Sequence, residues 1–199
     1  MKRIIILTAA MLSLLISGCK QPQTDATTMN KDFMDLALER YSVRSFTDEQ
    51  VPQEIIDKII EAGKVAPTAV NSQPQMIYVI KSPEAMAKLN EQSRCIYGAP
   101  HAFLVCYNEL NACKRGEYGT YGEIDATIVL THMTLEAANL GIGTCIVGMF
   151  DQKEIAKAFD LPSYIKPVLL LPFGYPAEDS APSPRHTEYR PLEETVNYL

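Results

Sequence analysis

The sequence predicts an α+β fold in which helices pack against a small sheet. Segments with helical periodicity are mixed with short apolar runs of strand length, but without the regular strand–helix–strand repeat of a parallel sheet. Hydrophobic residues make up 47% of the 199 residues, which is enough to build an ordinary core. These features favour a sheet-and-helix sandwich in one domain, which we place at residues 32–199.

Five segments predict helices. In residues 32–40 and 53–64 the apolar positions recur at the three- and four-residue spacing of a single helix face. A short helix is expected to begin at Pro83, because proline is well accepted in the first turn. Residues 125–140 are apolar nearly all round and end at a glycine, which predicts a buried, central helix. A further short helix is expected at residues 152–159.

Four apolar runs predict strands. They are short, contain mostly aliphatic and aromatic residues, and are bounded by polar residues, glycine or proline. Cys106 and Cys145 lie within two of these runs and are expected to be small buried residues. The predicted strands are residues 76–80, 102–107, 144–147 and 167–171.

Residues 1–18 have the pattern of a bacterial lipoprotein export signal. Lys2 and Arg3 give a positive start, an apolar stretch follows, and small residues stand directly before Cys19. The apolar stretch is shorter than the roughly 20 residues that a membrane-spanning helix needs. We expect Cys19 to carry the lipid and residues 19–31 to be a polar tether. The domain would then face away from the cytoplasm, in the cell envelope. An ordinary cleaved signal or a buried N-terminal helix is the alternative.

The charge balance argues against a nucleic-acid partner. The chain has a formal net charge of −6, whereas binding to a phosphate backbone needs a clustered positive surface. The cysteines after Cys19 and the three histidines follow no metal-ligand spacing, so we predict no metal site. Free thiols are expected, with a disulfide between Cys95 and Cys113 as the alternative in an exported protein.

Three segments carry residues that suit a ligand. Arg40, Ser42 and Arg44 place two guanidinium groups and a hydroxyl within five residues, which can hold a phosphate. The alternative is a salt-bridged helix end. Residues 66–74 predict a rigid polar loop between two prolines, or else a simple connector. Residues 141–150 end the long helix and open a strand that finishes at a glycine, which allows close approach of another group.

Taken in this order, the three segments resemble the FMN-dependent nitroreductase family. The stretch ERYSVRSFTDEQVPQEIIDKIIEAGKVAPTAVNSQP resembles the N-terminal signature of that family. The C-terminal signature of the family is resembled by two stretches of this chain, ANLGIGTCIVGMFD and LLPFGYPAEDSAPSPRHTEYRPLEETV. The resemblance extends from about Phe33 to Val196. It implies a nitroreductase-like sandwich that forms a homodimer, with FMN at the interface between the subunits.

The resemblance also implies which residues bind FMN. Two arginines and a serine would hold the phosphate and nearby oxygens, a loop would reach the flavin from the partner subunit, and a strand would lie beside the isoalloxazine ring. The basic residue that the family has near its C-terminus stands as Tyr189 here, so Arg190 or Arg185 is expected to replace it. No catalytic side chain is implied, because the flavin carries the redox chemistry. The implied residues are Arg40, Ser42, Arg44, Thr68, Ala69, Asn71, Ile146, Val147, Gly148 and Arg190.

The activity that the resemblance implies is a ping-pong oxidoreductase. A small-molecule donor, usually NAD(P)H, would reduce FMN, and the reduced flavin would pass electrons to a nitroaromatic, a quinone or a similar acceptor. Two alternatives stand beside it: a lipid-anchored flavin- or ligand-binding protein without turnover, and a flavin-dependent reductive dehalogenase. An exported domain would be separated from the cytoplasmic NAD(P)H pool, so the sequence leaves the electron donor open.

Overall fold

A computed structural model describes residues 32–199 of the chain. The predicted lipoprotein signal, the tether and Cys19 lie outside the described residues. All five predicted helices are present, as α1 (Phe33–Glu39), α2 (Gln53–Lys64), α3 (Pro83–Gln92), α4 (Gly122–Asn139) and α5 (Gln152–Ala158). The sequence did not predict a short α6 (Leu192–Thr195) or the 3₁₀ turns at Ala69–Asn71, Gly116–Tyr118 and Pro184–Thr187.

The strands form a four-stranded antiparallel sheet with the order β1-β2-β4-β3. The two central strands are long, and β2 is buried along all but its last residue. Helices and an antiparallel sheet in one unit confirm the predicted α+β class. The strands are β1 (Gln75–Ile80), β2 (His101–Asn108), β3 (Gly143–Thr144) and β4 (Ile165–Gly174).

The predicted strand at residues 144–147 is wrong in its length. Regular pairing with β4 stops after Thr144, and Val147 rejoins β4 through an isolated bridge to Leu170. The cause is Pro172, which lies opposite Cys145. Its carbonyl accepts the Cys145 N–H at 3.3 Å, but a proline has no N–H to return. The edge strand is therefore short and irregular at its end.

Two layers of helices cover the two faces of the sheet. Along β2, Phe103 and Val105 face a core shared with α2 and α4, whereas Leu104 and Cys106 face a second core shared with α3 and α5. This alternation is the two-residue period of a strand. The prediction of a sheet-and-helix sandwich is therefore confirmed as a sheet between two helical layers.

The long helix α4 is central, as predicted. It contacts all four strands as well as α1 and α2. Its close approach to α2 depends on Gly63, since a Cβ there would come within 2.7 Å of Met133 Cγ. Such packing leaves α4 little freedom to shift, because the interiors of proteins are close-packed.

The cysteines of residues 32–199 are free thiols in this structure. Cys106 and Cys145 are buried, as expected, and Cys95 and Cys113 are partly buried. Within the same residues, the helices are all too short or too polar to cross a bilayer.

Candidate functional site

Residues 40–47 leave α1 as an extended segment that is hydrogen-bonded to neighbouring backbone along its length. Arg40, at the end of α1, already has extended backbone angles, with φ −62° and ψ 123°. The Val43 N–H donates to the Thr144 carbonyl at 2.9 Å, which ties the segment to β3. Farther along, the segment is bonded to residues 175–177. Its conformation is therefore set by these backbone hydrogen bonds.

The extended backbone brings the predicted phosphate-binding residues together. Side chains alternate along such a segment, so Arg40, Ser42 and Arg44 share one face and Val43 points the other way. Val43 is buried in the protein, at 2% exposure. Arg40 and Ser42 are half-buried, and Arg44 is exposed. We call these three residues the arginine cluster.

The thiol of Cys145 lies near all three residues of the arginine cluster. Burial raises the pKa of Cys145, and Arg44, Ser42 and Arg40 each act to lower it. All three side chains therefore lie within electrostatic or hydrogen-bonding reach of one sulfur atom. Since Cys145 directly follows β3, the cluster lies near the connection between β3 and residues 146–148.

Tyr97 supports Arg44 and was not predicted from the sequence. The guanidinium carbon of Arg44 lies 5.9 Å from the centroid of the Tyr97 ring, within the range of a cation–π contact. A hydrogen bond with Cys95 and burial raise the pKa of Tyr97, while a hydrogen bond with Arg44 lowers it. Arg44 also donates to the Ser42 carbonyl at 3.3 Å. These contacts restrict where the guanidinium can point.

Residues 146–148 form an open apolar edge beside the arginine cluster. Val147 is 4% exposed and exchanges two 2.9 Å hydrogen bonds with Leu170, so its side chain and its backbone polar groups are both occupied within the chain. Ile146 is 43% exposed. A Cβ at Gly148 would have Leu169 Cδ2 as its nearest neighbour, at 3.5 Å. Packing within the chain therefore does not require a glycine at position 148.

The loop Thr68–Asn71 lies at the other end of α4. The Ala69 N–H donates to Asp125 Oδ1 at 2.9 Å, and Asp125 belongs to the first turn of that helix. α4 has 18 residues, which gives a length of about 27 Å. Thr144 follows the opposite end of the helix. Within one chain, then, this loop and the arginine cluster are not brought together.

The C-terminal tail crosses the end of α1. His186 Nε2 lies 3.0 Å from the Leu38 carbonyl oxygen, and its ring packs edge-on against Tyr41 with the centroids 6.4 Å apart. Arg185, next to His186, and Arg190, farther along, are both exposed. The tail therefore brings His186, and Arg185 beside it, to the end of α1.

Comparison with known proteins decides the family. The nitroreductase family model matches residues 37–97 and 92–175, which include the arginine cluster, the loop and the apolar edge. This chain belongs to the nitroreductase family. The membership of the nitroreductase family that the sequence motifs implied is thereby confirmed.

The relatives agree with this assignment. A crystal structure of a nitroreductase family protein from Clostridium difficile is 36% identical, with a TM-score of 0.79, and covers 84% of this chain and 98% of that one. FMN reductase (NAD(P)H) of Bacillus subtilis is 33% identical over 72% of this chain and 66% of that protein. The NADPH-dependent oxidoreductase of Staphylococcus haemolyticus is 29% identical over 76% of this chain and 68% of that protein.

Replacing Gly143 by alanine tests the packing of the extended segment on β3. A Cβ at this position would approach Val43 Cγ2 to 2.8 Å and Pro176 Cγ to 3.0 Å. We expect G143A to lose about 1–3 kcal/mol of the free energy of unfolding, because overpacking displaces the segment. Gly148→Ala is the matched control and should change this free energy by no more than about 0.5 kcal/mol. Urea denaturation followed by circular dichroism measures both, and equal losses would contradict this packing.

Proposed function

We propose that this nitroreductase-family chain is an FMN-dependent oxidoreductase with a ping-pong mechanism. Its acceptor would be a nitroaromatic, a quinone or a similar small molecule. The observation that carries the proposal is the convergence of Arg40, Ser42 and Arg44 on one face beside an open apolar edge. When bound, FMN supplies the redox chemistry, accepting a hydride from the donor and returning two electrons to the acceptor.

The charge of the arginine cluster fits the phosphate of FMN. A phosphate monoester carries a charge close to −2 at neutral pH, and two guanidinium groups can neutralise it. Ser42 adds a hydroxyl donor on the same face. Among residues 32–199, no carboxylate forms a salt bridge with Arg40 or Arg44. Both cations are therefore available to an anionic ligand in a chain that is acidic overall.

The apolar edge fits the flavin ring. Ile146 supplies exposed apolar surface and Gly148 a position without a side chain. Val147 lies between them and fixes the backbone of both through its buried side chain and its two hydrogen bonds with Leu170. We propose that the isoalloxazine ring lies against these three residues. The protein would then orient the ring and exclude water from one of its faces, with no acid–base side chain assigned.

The separation of the two binding segments supports a homodimer. Thr68, Ala69 and Asn71 stand at one end of α4 and the arginine cluster beyond the other, so one chain cannot place both on one mononucleotide. In a homodimer, the loop of one protomer can reach an FMN that is held by the arginines of its partner. The large exposed apolar residues Phe33 (64%) and Val70 (85%) agree with surfaces that another subunit covers.

We propose further that Cys19 anchors the domain to a bacterial membrane, facing away from the cytoplasm. The support is the lipoprotein-like pattern of residues 1–18, followed by the polar tether 19–31. Mass spectrometry of the N-terminal peptide from a membrane fraction should show a lipid-modified Cys19. An unmodified Met1 in the soluble fraction would contradict the anchor and would return the enzyme to the cytoplasmic NAD(P)H pool.

Replacing Arg44 by alanine tests the phosphate contact. Titration with FMN, followed by visible flavin absorbance or fluorescence quenching, should show tight binding to the unsubstituted protein. A charge-assisted hydrogen bond contributes about 1.5–3 kcal/mol, so we expect R44A to raise the dissociation constant about 10- to 100-fold. The fold should be retained, because Arg44 is exposed.

Lys88→Ala is the matched control for this titration. Its ammonium nitrogen also lies over an aromatic ring, 5.6 Å from the Phe159 centroid, but it is exposed on α3, away from both proposed binding segments. FMN affinity should be unchanged in K88A, and an unchanged affinity in R44A would contradict the phosphate role. A protein that gains no flavin absorbance would contradict the whole proposal. Flavin that binds but is not bleached by NADH under anaerobic conditions would indicate another donor or a binding protein.

A further cation from the C-terminal tail completes the proposed phosphate site. We propose Arg190 for this role, with Arg185 as the alternative, because the family's usual position is occupied by Tyr189. The same FMN titration on R190A and R185A distinguishes them. The variant with the weaker affinity identifies the contact, and two unchanged affinities would exclude both arginines.

A further inference from the structure

The loop Thr68–Asn71 is held in a strained shape that exposes its tip. Val70 and Asn71 have positive φ angles of 49° and 55°. A β-branched residue such as valine rarely adopts this region. Val70 is also 85% exposed, so burial of its side chain does not stabilise the conformation. A backbone conformation of this kind persists only where contacts with the surrounding structure hold it in place.

Two side chains accept backbone N–H groups of the loop and hold it. Thr68 Oγ1 accepts the Gln73 N–H at 3.0 Å, which closes the loop on itself. Asp125 Oδ1 accepts the Ala69 N–H at 2.9 Å from a position 56 residues along the chain. The Asp125 contact therefore ties the loop to the rigid central helix, whereas the Thr68 contact only fixes its internal shape.

Unpartnered polar atoms gather around this loop. Asp125 is 2% exposed, and its second oxygen, Oδ2, is buried without a hydrogen-bond partner among residues 32–199. Ser72 Oγ and Gln75 Oε1, just after the loop, are buried without partners in the same way. A buried polar atom without a hydrogen bond destabilises the folded state. Apolar residues would fill the same space without this penalty. The polar atoms point instead to a role in presenting the loop.

We propose that Asp125 is a positioning residue for the flavin-facing loop. By holding the Ala69 N–H, it keeps Val70 and Asn71 presented outward, where the loop can meet the FMN of the partner subunit. This inference rests on the proposed function, in which the loop contacts that flavin. No proton or electron passes through Asp125, which acts on the flavin through the loop alone.

Three variants test the contact from both of its ends. Asp125→Ala removes the acceptor, while Asp125→Asn retains an oxygen that can accept the Ala69 N–H. Ala69→Pro removes the donor instead; Thr68, with φ −129° and ψ 158°, already has the backbone that a residue before proline prefers. Ser82→Ala is the matched control, because Ser82 Oγ accepts the Ala85 N–H at 3.2 Å at the start of α3.

Two quantities are measured for each protein. Hydrogen exchange of residues 68–73 in FMN-free protein reports the loop, and FMN titration reports the site. We expect exchange in D125A and A69P to be about tenfold faster or more, and the FMN dissociation constant to rise about tenfold or more. D125N should recover most of both values. S82A should match the unsubstituted protein in both.

The outcomes separate this inference from the proposed function. The positioning role of Asp125 is overturned if D125A leaves both the hydrogen exchange of the loop and the FMN affinity unchanged. If D125A does not fold, the same result in A69P overturns it. A D125N protein that unfolds would also overturn it, because the carboxylate would then act on the whole fold. If the unsubstituted protein binds no FMN, the proposed function fails, while the exchange comparison still decides whether Asp125 holds the loop.

Discussion

The length and burial of α4 determine where each part of the candidate site stands. The helix packs against all four strands and α2. Its start is placed closely on β2, since a Cβ at Gly122 would fall within the Tyr107 ring. From Asp125, where the loop is bonded, to the end of α4 the helix rises about 21 Å, and the arginine cluster follows that end. In the function that we propose, this separation leaves one chain with an incomplete flavin site.

The arginine cluster depends on a simpler constraint, the pairing of an extended segment with a short edge strand. The Val43 N–H bonds to the Thr144 carbonyl at 2.9 Å, and the glycine at position 143 leaves room for the Val43 side chain. Because side chains alternate, burial of Val43 turns Arg40 and Arg44 to the same face. An apolar contact thus places two cations on the face where we propose that the phosphate binds.

Local patterns predicted what local chemistry controls. The helix predicted at residues 53–64 has those bounds in the structure, because its apolar face is continuous and a proline precedes it. The strand predicted at residues 144–147 was too long, because Pro172, which lies opposite Cys145, has no N–H to donate to the paired strand. Asp125 was missed for a similar reason. Its burial and its contact with Ala69 depend on a chain segment 56 residues away, and a carboxylate early in a helix is usually solvated. That Arg40, Ser42 and Arg44 lie close together could be predicted, because they stand within five residues of one another; their role in phosphate binding stays a prediction.

The shared site is tested most directly by subunit mixing. R44A and Asn71→Ala chains, each purified alone, are refolded together, and the mixed dimers are isolated with two affinity tags and titrated with FMN. If each flavin contacts both chains, a mixed dimer has one site with both substitutions and one with neither. Unsubstituted affinity should then return at one site per mixed dimer. If each site is built within one chain, the mixed dimer will bind FMN no more tightly than its parents, and that result would contradict the shared site.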